Sequence, residues 1–103
     1  LTLLDWGDSG AGHPLLDFPA MLTRVPAPWV DTLRQHWDAA WRRHRPQADV
    51  ARAAALLAPI AAMRQALVYQ RFLDHIEDAE HPYDRADVPD WLQRLDEVLC
   101  AES

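Results

Sequence analysis

The 103-residue chain has no lysine, one cysteine and three glycines, and each scarcity narrows the reading. With Cys100 alone, no internal disulfide forms, which suits a reducing compartment. All ten basic residues are arginines, and the net charge is −6, a balance that argues against nucleic acid or an anionic membrane as partner. The N-terminus carries no basic region ahead of an apolar one, so no signal peptide is read. No uninterrupted apolar run approaches the length of a membrane span. The richest stretch, residues 53–62, is mostly alanine and contains Pro59. These features together predict a cytoplasmic location.

What is present is apolar bulk. Half of the residues are hydrophobic, and five are tryptophans, enough large surface to form a core in one small domain. The first residue, Leu1, opens in the middle of an apolar run, so a preceding segment in a longer parent protein is expected.

Residues 1–4 read as a short strand ended by Asp5. All three glycines follow within six positions, which marks a loop of unusual backbone or close approach. Pro14 then suits the first turn of a helix running to about Arg24. A second helix is predicted from about Pro28 to His44, with Trp29, Val30, Leu33, Trp37, Ala40 and Trp41 on its apolar side. On its other side Arg34, Asp38 and Arg42 stand four residues apart and are able to pair. Residues 48–77 read as a long helical stretch, either kinked or divided at Pro59. Residues 78–87 form a polar connection. A last helix covers about Val88 to Ala101, with Trp91, Leu92, Leu95, Val98 and Leu99 as its stripe. The fold class is therefore mainly α with one short N-terminal strand. That segment either pairs with strands the chain does not contain or is not a strand here.

The stretch with chemical content runs from Leu3 to Phe18. An aspartate at the end of an apolar strand, followed by an aromatic residue and a glycine, suits a metal-binding element. Phosphoryl transfer needs Mg²⁺ on the nucleotide phosphates, and Mg²⁺ takes hard carboxylate oxygens. The longer pattern is Asp5-Trp6, a loop, Gly12, Pro14, two leucines and Asp17. It resembles the aminoglycoside phosphotransferase and choline-kinase-like family.

That resemblance implies several things. The chain would be the C-terminal helical subdomain of a protein-kinase-like fold, with residues 1–14 the metal-binding strand and loop and 15–103 the helices. Asp5 would hold Mg²⁺, and Asp17 would brace the catalytic loop through hydrogen bonds. The parent protein would move the γ-phosphate of a nucleoside triphosphate, ATP or GTP, to a hydroxyl on a small acceptor. The family's catalytic loop, its nucleotide-binding lobe and their lysine are absent, so no catalytic residue lies in this stretch. Alone it would be inactive, and it would need the missing N-terminal part of the same protein.

Other residues read more plainly. Asp8 is a solvated loop aspartate, and His13 is polar punctuation rather than a base. His36, His44, His75 and His81 lack metal-ligand spacing. Cys100 is a small apolar residue on the last helix. The acidic residues Asp74, Glu77, Asp78, Glu80, Asp84, Asp87 and Asp90 are either a solvated face or a place for a cationic acceptor. The alternative to the enzyme is a non-enzymatic helical interaction module. Under the enzyme reading, the strand at residues 1–4 and one helical face would lack their natural partner, and the bare apolar surface would drive homo-oligomerisation.

Overall fold

A computed structural model of the chain describes residue 2 and residues 11–101. The expected strand at residues 1–4, and with it Asp5, Trp6 and Asp8, lies outside the described residues. Within them the fold is mainly α and contains no strand. A 3-10 turn at Pro14–Leu16 leads into α1 (Phe18–Leu22). Then come α2 (Ala27–His44), α3 (Val50–Leu73), α4 (His81–Asp84) and α5 (Asp87–Ala101).

The predicted helix from Pro14 to Arg24 is in fact two pieces. Pro14 sits in the first turn of the 3-10 element, and Pro19 sits in the first turn of α1. A proline has no N–H to give, so the second one forces a fresh start after Asp17. α2 matches its predicted span to within a residue. Pro28 occupies its first turn, and Arg42, Arg43 and His44 crowd its last, where the helix dipole favours cations.

α3 is one helix through Pro59, not two. The alanines around Pro59 are the best helix formers, and they offset the lost backbone bond. Asp49 caps the helix, its Oδ1 accepting from the Arg52 N–H at 3.0 Å, worth about 1 kcal/mol. The helix stops at Leu73 rather than Glu77. His75 places Nδ1 2.6 Å from the Arg71 carbonyl, which the next helical N–H would otherwise have used. The His75 N–H turns instead to the Phe72 carbonyl at 3.0 Å.

α3 is also long and apolar enough to cross a membrane by length and composition, although no uninterrupted apolar run of that length stands out in the sequence. It is the one such helix among the described residues, and it is only weakly apolar. The supposed polar connection holds the short α4, started by Pro82.

α3 is the hub, since the 3-10 turn and all four other helices pack on it, α5 most extensively. The core is small: Ala62, Ala66 and Trp91 are buried together, with Ala20, Tyr69 and Leu95 packed against them. Arg94 lies over the Trp91 ring at 5.4 Å. α2 buries no residue, and Trp29, predicted on its apolar side, is 63% exposed. Its hold on the body is aromatic. Trp37 stacks on Phe18 with ring centroids 4.6 Å apart, a contact worth about 0.5–1.5 kcal/mol beyond its area. Such loose packing fits a radius of gyration of 15.4 Å, against about 13 Å for a compact chain of this length.

Candidate functional site

The described part of the candidate segment runs from Ala11 to Phe18. Its backbone is tied down at both ends of the turn. His13 is more than punctuation here, because its Nδ1 accepts from the Leu15 N–H at 3.2 Å and its carbonyl accepts from the Leu16 N–H at 3.0 Å. Leu15 and Phe18 are each only 5% exposed, so the turn is pinned into the helical body by two apolar side chains. At Gly12 a Cβ would meet only Leu16 Cδ1 at 3.7 Å, an ordinary contact. Packing within the described residues therefore does not demand a glycine there.

Asp17 stands between these anchors. It precedes α1, but its side chain makes no cap hydrogen bond to that helix. It points outward and pairs with Arg64 of α3, whose Nη1 donates to Asp17 Oδ1 at 2.9 Å. The pair joins residues 47 apart in sequence. The other ion pair among the described residues, Asp38 with Arg42 at 3.0 Å, is a local contact one helical turn apart. Arg34, grouped with these two by spacing, lies instead 5.9 Å over the Phe18 ring.

Arg64 was not singled out from the sequence, though a signal existed. It is the one charged residue between positions 53 and 70, and its neighbours along the helix face, Ile60, Ala61, Leu67 and Val68, are all apolar. A charge in that setting asks for a partner.

Around this segment the helices leave open apolar grooves. One of about 340 Å³ is lined by Phe18, Leu22, Val30, Ala58 and Trp91 among others. Another of about 410 Å³ lies between Leu15, Phe18, Trp37 and the alanines of α3. Both have the size of ligand pockets; Arg34, Arg94 and Glu97 edge the first, and Arg34 and Asp38 the second. They read as gaps beneath the loosely held α2.

The titratable groups are dispersed. Among the described residues no group of three or more His, Cys, Asp or Glu could hold a metal ion. The described residues alone therefore do not make the expected Mg²⁺ site. His36, His44, His75 and His81 do not come together as ligands, and Cys100 is exposed rather than buried. In the acidic stretch, Asp87 is held above the usual carboxylate range. Burial is the main cause, the neighbouring charges of Asp84 and Asp90 add to it, and Arg24 opposes them. Asp74 accepts from Gln70 Nε2 at 2.9 Å.

Comparison with known protein families, with curated proteins and with solved structures finds no match in any of the three.

Proposed function

We propose that the chain is the C-terminal helical part of a kinase-like phosphotransferase acting on a small hydroxylated molecule. The observation that carries the reading is the ordered pattern Asp5-Trp6, Gly12, Pro14, Leu15, Leu16 and Asp17. The local geometry supports it. The two apolar positions around Asp17 turn inward while its carboxylate stays available at the surface. Gly12, which its own packing does not require, leaves room for a neighbouring backbone.

In this reading Asp5 takes the Mg²⁺ of a bound nucleoside triphosphate, and Asp17 accepts hydrogen bonds from the loop that carries the catalytic base. That base, the nucleotide lobe and the rest of the metal site come from the remainder of the parent protein. A cationic acceptor would find the acidic residues 74–90 favourable, and the reaction runs in the cytoplasm.

The test is phosphoryl transfer by the whole natural protein across a panel of hydroxylated acceptors, with Asp5→Asn beside wild type. A loss of about a hundredfold or more is expected, the scale of removing one electrostatic partner of a transition state. Transfer at the wild-type rate in Asp5→Asn removes the proposal.

One observation favours a second reading, a helical interaction module. Leu56, Ile60 and Leu67 of α3 are each more than half exposed, and a run of bare large apolar side chains marks a surface that another body covers. Absence of transfer with every acceptor, together with stable capture of a protein partner on this face, would select that reading.

A further inference from the structure

We infer that Arg64 is a positioning residue. It fixes the Asp17 carboxylate through one oxygen and leaves the other oxygen facing outward for the N–H donors that Asp17 braces. The inference rests on the phosphotransferase reading for its purpose, but its geometry comes from the fold alone.

Three observations converge on it. First, Arg64 is out of character where it stands. Between positions 53 and 70 the sequence has no other charge, and the Ile60, Leu67 and Val68 side chains beside it are themselves exposed, so only Asp17 answers it among the described residues. The Arg64 guanidinium nonetheless reaches Asp17 across the fold, at 2.9 Å. Second, both ends of the pair are mounted on well-held backbone. Asp17 lies between Leu15 and Phe18, both buried, and Arg64 is in the middle of the longest helix. Third, the bond engages only Oδ1 among the described residues, and the Asp17 side chain remains 76% exposed. A carboxylate accepts up to about four hydrogen bonds, so capacity for further N–H groups is left on the outer side.

Exposure also decides what the pair is for. An ion pair this open to water contributes about 0–1 kcal/mol to stability. Its value is directional: the single Nη1–H···Oδ1 bond favours one carboxylate orientation, and a guanidinium loses less side-chain freedom per hydrogen bond than a flexible lysine. Misplacement of a supporting group by about 1 Å costs up to about a hundredfold in rate.

The experiment uses the whole natural protein with four variants: Arg64→Met, Arg64→Lys, Asp17→Asn and the double Arg64→Met/Asp17→Asn. Arg64→Met keeps a good helix former on the same stem length. It is expected to lower kcat about tenfold while the nucleotide KM stays within about twofold. The melting temperature should move by no more than about 4 °C. Arg64→Lys should recover part of the rate. The double variant should be no worse than the poorer single one, since both remove the same contact. Should Arg64→Met fold poorly, Asp17→Asn and Arg64→Lys carry the same comparison.

Wild-type kcat in Arg64→Met, with transfer abolished in Asp5→Asn, overturns this inference and leaves the functional reading standing. If Asp5→Asn instead transfers normally, the functional reading falls, and amide exchange of residues 15–18 decides about the pair. Faster exchange in Arg64→Met than in wild type upholds Arg64 as the anchor of this turn. Unchanged exchange ends the idea.

Discussion

In the middle of α3 the two sides are built from side chains of opposite size, and the small ones are inside; larger side chains, Val50 and Leu73, are buried only at its two ends. On the covered side stand Ala61, Ala62 and Ala66, each 3% exposed or less. On the uncovered side stand Leu56, Ile60, Met63 and Leu67, spaced at four, three and four, all exposed. At about 100° per residue these four fall on one narrow stripe. A self-sufficient globular helix is arranged the other way, with its bulk against the core. The alanine side allows a close approach: Trp91 of α5 and Ala20 of α1 both reach the helix surface there. The leucine side has no such neighbour among the described residues. The lesson is that covered and apolar are separate properties in the middle of this helix, and the larger side chains there are the ones the described residues leave uncovered.

The comparison can be broken most severely from the covered side. Trp91→Ala removes the only large side chain in the buried cluster, and a loss of about 3–5 kcal/mol is expected in denaturant unfolding. For a fold with so small a core, that is unfolding in practice. A stability within about 1 kcal/mol of wild type would mean that Trp91 does not close the core. Ala66→Leu tests the tightness of the same side by adding bulk where α5 sits. About 1–3 kcal/mol of destabilisation is expected, measured by thermal melting.

The uncovered side should respond in a different observable. The chain is expected to sediment as a dimer or larger assembly at high concentration, because the leucine stripe finds another apolar surface. Ile60→Gln with Leu67→Gln should shift it toward monomer, with unfolding free energy of the monomer changed by only about 0.5 kcal/mol per site. A wild-type chain that stays monomeric at every concentration contradicts the view that the stripe is an adhesive face.

The smallest expected effect concerns pH at the start of α5. Burial and the charges of Asp84 and Asp90 raise Asp87, so the folded state holds this proton more tightly than the unfolded chain. Stability therefore falls as pH rises from the ordinary aspartate range through the raised value of Asp87, and it recovers on acidification through the same window. Asp87→Asn should flatten that part of the stability profile. An unchanged profile would show that Asp87 is as well solvated in the fold as out of it.

Much of the helical layout was legible. α2 and α5 were placed to within a residue, because each combines an apolar stripe with a proline or acidic start. The errors sit where local signals conflict. Pro59 left one kinked helix or two open, and alanine propensity and tertiary packing decide for one. Pro14 reads as the start of one helix, but Pro19 starts another. His75 ends α3 with its ring, which no periodicity displays. Trp29 looked like core and is exposed, since a stripe says which residues share a face and not whether anything covers it. Of the candidate site, Asp17 was found by motif and its partner was not.

The sequence by itself determined where the helices lie and where they start, because capping, proline placement and periodicity act over a few residues. It also held the Asp5 to Asp17 pattern on which the functional proposal stands. Only the tertiary structure decided which side of α3 is covered and that Arg64 meets Asp17. The physical reason is that α3 is apolar over most of its circumference, so its pattern names no single inward face. A contact spanning 47 residues depends on how the turn, α1 and α3 pack together, which no local window contains.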